Sequence, residues 1–270
     1  MGIEFRGVSK TYPDGTVAVA EFSCEVPSHR TLALVGTSGS GKTTLMRMVN
    51  RMIDPTTGEV LIDGKDVRGL EKVALRRSIG YVPQAGGLLP HRRVLDNVAT
   101  VPLLNGVSRA EARTTATELL VKVGLDPALG KRFPGQLSGG QQQRVAVARA
   151  LAADPNILLM DEPFGAVDPI VRRDLQDQLL TLQSELGKTI VLVTHDIEEA
   201  FRLGDEVIIL RTGGIIAQAG TPQQIVAAPA DGFVRDFVGA DRAERTLRTV
   251  EQDGRRVVVD GDDRPVGVLA

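Results

Sequence analysis

The chain has 270 residues, of which 42% are hydrophobic and 24% are charged, a balance typical of a globular protein in water. Its net charge of −2 excludes the broad basic surface that holds nucleic acid or an anionic membrane, and its one cysteine, Cys24, excludes an intrachain disulfide. No apolar run approaches the ~18 residues that span a bilayer, so we expect any membrane role to depend on a partner protein.

The first 35 residues predict antiparallel strands joined by a tight turn. Residues 12–15, Tyr-Pro-Asp-Gly, lie between short apolar runs at 3–5 and 17–19. Proline, aspartate and glycine are the residues that β-turns favour, so the chain is expected to reverse here. The sequence therefore predicts an N-terminal antiparallel β-subdomain.

A glycine-rich loop follows the apolar run at 31–35 and precedes a helical pattern at 44–50. It fits G-x-x-x-x-G-K-[ST], and its glycines let successive N–H groups point at an anion beside the positive end of a helix. Lys42 can reach the β- and γ-phosphates of a nucleotide, and the Thr43 hydroxyl can bind Mg²⁺. The residues predicted to bind phosphate are Gly36, Thr37, Ser38, Gly39, Ser40, Gly41, Lys42, Thr43 and Thr44.

The middle of the chain changes character after two short strand patterns at 58–63 and 79–82. Between residues 85 and 155 the apolar periodicity becomes helical, which indicates a helical insert in an α/β core. Ser108 is well placed to cap the second helix of this insert. The helices predicted there span 94–104, 109–123 and 140–153.

Apolar strands alternate with helices after the insert, which predicts a mostly parallel sheet covered on both faces. The strands are expected at 156–160, 189–193 and 206–210, and the helices at 169–186 and 197–203.

The last thirty residues are too few to bury a core alone. In this segment, runs at 256–260 and 265–269 flank the acidic turn Gly261-Asp262-Asp263 and predict a hairpin.

Polar residues follow three of the predicted strands. Asp161 and Glu162 end one strand, where Asp161 can hold Mg²⁺ and Glu162 can polarise the water that attacks a γ-phosphate. Two acidic residues at the end of a strand mark an ordinary turn about as often as a functional site. The phosphate loop with Lys42 upstream favours the catalytic interpretation. His195 and Gln84 follow two other strands and are weak candidates alone for contacting the γ-phosphate, the attacking water or Mg²⁺.

Residues 137–144, Leu-Ser-Gly-Gly-Gln-Gln-Gln-Arg, place Ser138 and two glycines before a strong helical pattern. The exposed N–H groups of such a helix start form a second anion cradle. The alternative is a plain N-cap with a flexible entry, and the local sequence by itself favours that alternative. A second cradle is useful only if it serves the nucleotide of another copy of the chain.

The order of these motifs resembles that of the ATP-binding cassette family over roughly residues 1–240, and Leu-Ser-Gly-Gly-Gln is that family's signature. The resemblance implies a P-loop NTPase cassette with a helical subdomain at about residues 85–155. It also implies roles for matching residues: Tyr12 stacks on adenine, Ser138, Gly139, Gly140 and Gln141 contact ATP as the signature, Asp168 belongs to the D-loop, Asp161 and Gln84 join Thr43 around Mg²⁺, and Glu162 and His195 act in catalysis with Gln84.

The resemblance further implies a head-to-tail homodimer with two ATP molecules, each held by the phosphate loop of one copy and the signature of the other. The cassette would bind integral membrane permease subunits at the cytoplasmic face of the plasma membrane, and ATP hydrolysis would drive their change between inward- and outward-facing states. An extracytoplasmic solute-binding protein would belong to the same system. No nucleic acid is expected as a partner.

Several stretches resemble the osmoprotectant branch of importers, which take up glycine betaine, choline, carnitine or proline. They lie at 10–16, 47–53, 55–58, 97–102, 164–170 and 237–241. The segment 241–270 departs from that branch, because it resembles only a remnant of one cystathionine-β-synthase-type repeat instead of a pair.

A second departure is the pair Gly86-Gly87 after Gln84, where contacts with the membrane partner are expected to differ. Three other interpretations stay open. They are an importer of another small solute, a soluble cassette protein acting on nucleic acid or ribosomes, and a P-loop kinase, which has no use for the signature segment.

Overall fold

The computed structural model describes residues 1–84, 86–165, 167–239, 248–252, 255–259 and 265–268. Its strands are β1 (Ile3–Thr11), β2 (Val17–Val26), β3 (Thr31–Gly36), β4 (Thr57–Ile62), β5 (Lys65–Asp66), β6 (Ile79–Val82), β7 (Ile157–Asp161), β8 (Thr189–Thr194), β9 (Glu206–Arg211), β10 (Ile215–Gly220), β11 (Arg248–Gln252), β12 (Arg255–Val259) and β13 (Pro265–Val268). Its α-helices are α1 (Lys42–Val49), α2 (Lys72–Ser78), α3 (Val94–Val98), α4 (Thr100–Leu104), α5 (Arg109–Lys122), α6 (Gly139–Leu151), α7 (Pro169–Leu186), α8 (Ile197–Leu203), α9 (Pro222–Ala227) and α10 (Gly232–Val238).

Strands β1 and β2 pair antiparallel, as the sequence predicts. Strands β4 and β5 join them in a sheet of order β2-β1-β4-β5, an arrangement that the sequence did not predict. The predicted turn joins β1 and β2: the Tyr12 N–H donates to the Thr16 carbonyl, and the Gly15 N–H donates to the Tyr12 carbonyl. Phe5 and Phe22 pack edge to face across the two strands, with ring centroids 5.4 Å apart. The aromatic contact between the strands and the hydrogen-bonded turn thus both stabilise this hairpin.

The central sheet has six strands in the order β10-β9-β3-β8-β7-β6, all parallel except β10. Strands β3, β7 and β8 are buried along their whole length, which explains their unbroken apolar runs. The mostly parallel sheet is therefore confirmed. Edge strand β10 is largely exposed, and its sequence lacks the apolar alternation that would have predicted it.

Alternate residues of each central strand enter different cores. In β3, Ala33 and Val35 pack with the helical insert and α7, whereas Leu32 and Leu34 pack with α1 and the N-terminal sheet. This follows from the two-residue period of a strand. The parallel sheet is thus covered on both faces, and the carboxyl ends of its strands meet at one edge, beside α1.

The helical insert contains α3 to α6, as its periodicity predicts. The pattern at 94–104 is divided into α3 and α4 at Ala99, because Pro102 has no N–H to donate to the Val98 carbonyl. Ser108 caps α5, where its hydroxyl accepts from the Glu111 N–H at 3.2 Å. The predicted cap is confirmed.

Near the C-terminus, β11, β12 and β13 form an antiparallel sheet, in which Val257 pairs with Val268. The predicted hairpin strands are confirmed, while the acidic turn Gly261-Asp262-Asp263 lies outside the described residues. In the part of the chain that the structure describes, every helix is too short or too polar to cross a membrane.

Candidate functional site

The glycine-rich loop connects β3 with α1 and lies against β2. Gly39 and Gly41 have φ values of 78° and 85°, in the left-handed region that glycine adopts without strain. A Cβ atom at Gly41 would lie 2.4 Å from the Ala18 carbonyl oxygen, so only glycine fits there. The close approach of the loop to β2 therefore depends on this residue.

Lys42 lies inside the loop, with 6% of its surface exposed. Its Nζ donates to the carbonyls of Gly36 and Thr37, both at 2.8 Å, and to Ser40 Oγ at 3.2 Å. Burial lowers the pKa of Lys42, against the opposing charges of Glu162 and Asp161. A bound phosphate would give this ammonium group an anionic partner in place of neutral carbonyls.

Asp161, at the end of β7, is the buried carboxylate of the site and has 3% of its surface exposed. Thr43 Oγ1 donates to its Oδ1 at 2.8 Å, so two of the three residues predicted to bind Mg²⁺ lie together. Its Oδ2 lies 3.5 Å from both an Arg47 guanidinium nitrogen and the Tyr81 hydroxyl. The sequence reading missed Arg47 and Tyr81. Arg47 follows Thr43 by four residues on α1, a helical spacing that indicates a shared face.

Glu162 has a φ of 46°, a left-handed conformation that is costly for a residue with a side chain and is typical of functional sites. Its N–H donates to the Val193 carbonyl at 2.8 Å, which holds the backbone there. Gln84 Nε2 donates to Glu162 Oε2 at 2.7 Å, and His195 Nδ1 lies 3.4 Å from the same oxygen. The ends of β6, β7 and β8 thus bring together the three residues predicted to act in catalysis.

An open cleft of about 660 Å³ lies in front of these groups. Its lining consists of the phosphate loop with a carboxylate and an amide opposite: Ser38, Gly39, Ser40, Gly41, Lys42, Thr43, Thr44, Gln84 and Glu162. Tyr12, Asp168 and the signature residues are not among the described residues that line it. The predicted phosphate loop therefore faces this cleft, whereas the signature residues of the same chain do not.

The signature residues start α6 with a capping box. Ser138 Oγ accepts from the Gln141 N–H at 3.3 Å, and Gln141 Oε1 accepts from the Ser138 N–H at 3.1 Å. A Cβ atom at Gly140 would lie 2.5 Å from a methyl group of Val171, so this glycine also permits close packing of α6 on α7. The N-cap alternative and the anion cradle are thus compatible descriptions of one helix start.

Tyr12 lies at the tip of the β1–β2 hairpin, half-buried, with Lys10 Nζ 5.4 Å from its ring centroid. The same hairpin contacts the phosphate loop through the Ala18 carbonyl. Burial by itself would lower the pKa of Arg47. Interactions with Tyr81, Asp161 and Tyr12 are together stronger than this effect, so the pKa of Arg47 is raised. Tyr12 is therefore near the first helix of the site.

The donor set fits Mg²⁺ as part of a nucleotide complex. Mg²⁺ prefers oxygen ligands and is commonly bound by one or two carboxylates together with substrate phosphates and water. Thr43 and Asp161 supply a hydroxyl and a buried carboxylate in contact, and the Gln84 amide contacts Glu162 beside them. The described residues contain no group of three His, Cys, Asp or Glu that could hold a metal alone.

The segment after Gln84 is held by α6. Gly86 and Gly87 have left-handed φ values of 68° and 59°, and Arg149 donates to their carbonyls at 2.8 and 2.5 Å. A Cβ atom at Gly87 would lie 2.7 Å from Pro83 Cγ. The double glycine noted in the sequence thus permits a turn that Arg149 stabilises.

Glu199 is a buried carboxyl group behind the site. It lies on α8 with 5% of its surface exposed, and its Oε1 has no hydrogen-bond partner among the described residues. Burial raises the pKa of Glu199 to about 8. The negative charges of Asp196 and Glu162 add to this shift, whereas a hydrogen bond from Thr194 and the positive charge of Arg172 oppose it.

We expect Glu199→Gln to gain stability relative to the unmodified chain as pH rises from 4.5 towards 8. Over this range the folded carboxyl keeps a proton that the unfolded one has lost, so stability falls with pH by at most about 1.4 kcal/mol per unit. Glutamine does not titrate and removes this slope. Urea unfolding at about pH 5.5 and about pH 8.5 measures the effect, and a difference between the two chains that stays constant with pH would contradict it.

Residues 19–165 match the ABC transporter family. The chain is 44% identical to the carnitine transport ATP-binding protein OpuCA of Listeria monocytogenes, over 99% of this chain and 66% of that protein. It is 44% identical to the choline transport ATP-binding protein OpuBA of Bacillus subtilis, over 99% and 69%, and 47% identical to the glycine betaine uptake system ATP-binding protein YehX of Escherichia coli, over 91% and 79%. The chain spans 66% of the length of the first of these relatives.

Solved structures show the same similarity. The chain aligns with a dimeric post-hydrolysis structure of the ATP-binding cassette MJ0796 bound to ADP and Pi, with a TM-score of 0.74, 35% identity, and coverage of 82% of this chain and 98% of that one. It also aligns with cbiO1 of Clostridium perfringens, part of the ABC transporter complex cbiONQ, with a TM-score of 0.76, 29% identity, and coverage of 83% and 90%.

Proposed function

Because this chain belongs to the ABC transporter family, we propose that it is the ATP-hydrolysing subunit of an importer for an osmoprotectant such as glycine betaine, choline, carnitine or proline. One observation carries the enzymatic part of this proposal. Gln84 and His195 converge on one oxygen of Glu162, opposite the loop that holds Lys42. A carboxylate oriented in this way, beside a phosphate loop, has the geometry of a group that positions water.

In the proposed reaction, the loop N–H groups and Lys42 bind the β- and γ-phosphates of ATP. Glu162 orients a water molecule and accepts its proton as the water oxygen bonds to the γ-phosphorus. The bond between that phosphorus and the bridging oxygen breaks, and ADP and phosphate result. His195 and Gln84 hold Glu162 and the water in line. Mg²⁺, held by Thr43 and Asp161 with Gln84 nearby, would neutralise charge on the phosphate oxygens.

The proposed assembly is a head-to-tail homodimer in which Ser138, Gly139, Gly140 and Gln141 of one copy contact the ATP of the other, with Asp168 beside them. Two observations support it. The signature residues do not line the cleft of their own chain, although they start a helix that suits an anion. The similar cassette MJ0796 has been solved as a dimer bound to ADP and Pi.

We propose that residues 1–240 form the nucleotide-binding domain, with a helical subdomain at about residues 85–155 and a C-terminal extension at 241–270. The extension would be the remnant of one cystathionine-β-synthase-type repeat. Its three short strands support this boundary, because they form a sheet of their own instead of joining the central one.

The solute and the partners are inferred from the relatives, which are named for carnitine, choline and glycine betaine transport. In this proposal the cassette binds integral membrane permease subunits at the cytoplasmic face of the plasma membrane. A solute-binding protein on the outer side delivers the osmoprotectant. Nucleic acid has no role, in keeping with the net charge of −2.

Affinity capture of tagged Glu162→Gln protein from native membranes with ATP and Mg²⁺ tests this proposal. Two polytopic subunits and a binding protein that takes quaternary amines would support it. A binding protein for another class of solute would retain the importer and replace the substrate. Ribosomal or DNA-bound partners without a membrane protein would overturn the transport function.

Tyr12→Ala is expected to weaken ATP binding several-fold without changing the preference for a triphosphate. Aromatic stacking on adenine contributes about 0.5–1.5 kcal/mol, which corresponds to a loss of about two- to twelve-fold. Equilibrium titrations with ATP and with inorganic triphosphate measure the two effects separately. Weaker binding of inorganic triphosphate would instead place Tyr12 at the phosphates. Tyr12→Phe is the matched control and should bind like the unmodified chain.

A further inference from the structure

One side chain contacts both of the segments that lead from the central strands into the site. Arg172 lies in the first turn of α7, where its own N–H donates to the Asp168 carbonyl at 2.7 Å. Its guanidinium nitrogens lie 3.4 Å from the Val167 carbonyl and 3.5 Å from Asp196 Oδ2. The segment with Asp168 and the segment with His195 are therefore joined through a single residue.

The second of these segments is otherwise fixed on both sides of His195. The Asp196 N–H donates to Thr194 Oγ1 at 3.0 Å, and Asp196 Oδ1 accepts from the N–H groups of Glu198 and Glu199 at 2.9 and 3.2 Å. Asp196 thus uses one oxygen to cap α8 and presents the other to Arg172. A shift of Arg172 would change the orientation of the His195 side chain, because His195 lies between these contacts.

Buried polar atoms around Arg172 show that this junction is tight. Its Nε is buried without a hydrogen-bond partner among the described residues, as is Oε1 of the neighbouring Glu199. The guanidinium acts on Glu199 as a nearby positive charge, together with the opposing charges of Asp196 and Glu162. Arg172 therefore lies among carboxylates of the site without contacting the cleft.

We infer that Arg172 is a positioning residue for ATP hydrolysis, which holds the segment of His195 against the segment of Asp168. This inference rests on the proposed function. The pair of Arg172 and Asp196 is about one third exposed on each side, and such pairs contribute about 0–1 kcal/mol to stability. Its loss is therefore expected to affect geometry more than folding.

The chain provides a matched control in Arg202. This residue lies on α8 and pairs with Asp177 on α7, so it joins the same two helices as Arg172 and has the same 31% exposure. Its contact is with a helix and not with either segment of the site. A general requirement for α7–α8 ion pairs would affect both arginines alike.

The experiment measures ATP turnover and ATP affinity of the full chain carrying Arg172→Gln, Arg172→Lys or Arg202→Gln. Arg172→Gln should lower kcat about ten-fold, because small misplacements of catalytic groups are costly, with ATP affinity changed less than about two-fold. Arg172→Lys should recover part of the loss, and Arg202→Gln should match the unmodified chain. Equal effects of Arg172→Gln and Arg202→Gln would overturn the inference.

A double-mutant cycle with His195→Ala tests whether Arg172 acts through the histidine. If it does, Arg172→Gln should cause no further loss of turnover once His195 is absent. Losses that multiply would assign Arg172 a separate structural role and overturn the inference. Unchanged turnover in His195→Ala alone would instead overturn the proposed function of the histidine, and the inference with it.

Discussion

Glu162→Gln is expected to lower ATP turnover by about 10²–10⁴-fold while leaving ATP affinity nearly unchanged. Glutamine has the same shape and can keep its carbonyl oxygen facing the Gln84 amide, which donates to Glu162 at 2.7 Å. It also tolerates the same left-handed backbone as glutamate. What it lacks is a basic oxygen to take the proton of the attacking water. Phosphate release and equilibrium ATP binding measure the two quantities.

The same variant is expected to accumulate as a dimer with ATP and Mg²⁺, because the nucleotide held between the two copies in the proposed dimer is not consumed. Sedimentation velocity with and without ATP measures this. Glu118→Gln, at an exposed position on α5, is the matched control and should retain normal turnover and reversible association. Turnover near the unmodified rate in Glu162→Gln would remove this residue from the catalytic role.

Lys42→Ala is expected to weaken ATP binding by about ten- to hundred-fold, since hydrogen bonds to a charged group contribute about 1.5–3 kcal/mol. The ammonium group is buried in the loop, where it contacts two carbonyls and a hydroxyl. Its removal leaves the phosphates with the loop N–H groups alone. Calorimetric titration with ATP measures the loss, best in the Glu162→Gln chain, in which ATP is not hydrolysed.

Lys72→Ala provides the control for Lys42→Ala. Lys72 forms an exposed ion pair with Asp54 at 3.2 Å, so its removal changes the net charge by the same amount away from the cleft. ATP affinity should stay the same in this variant. An equal loss of ATP affinity in both variants would show that Lys42 acts only through the net charge of the protein. Unchanged ATP affinity in Lys42→Ala would show that the triphosphate binds elsewhere.

Local patterns predicted much of this fold. Helix α7 begins at Pro169 and ends at Leu186 as expected, because proline suits a first turn and Gly187, with a φ of 54°, suits a helix end. The phosphate loop was evident for a similar reason, since the residues that surround an anion are consecutive in the chain. Its backbone geometry is encoded by the glycines at positions 39 and 41.

Contacts between distant segments were not predictable in the same way. Tyr81 reaches Asp161 only because β6 pairs with β7, with Tyr81 opposite Leu159, and a single sequence does not contain that register. Arg172 and Asp196 are 24 residues apart, and their contact depends on the packing of α7 beside α8. The left-handed conformation of Glu162 also depends on tertiary structure, because glutamate has no preference for it.

The capping box at the start of α6 has a consequence for assembly. Ser138 Oγ already accepts from the Gln141 N–H, which selects one rotamer and leaves the hydroxyl hydrogen able to donate outward. The conformational entropy of this side chain is therefore lost during folding and not during association. A phosphate presented by another copy would meet donors that are already oriented, so closure around ATP needs no local reordering at this helix.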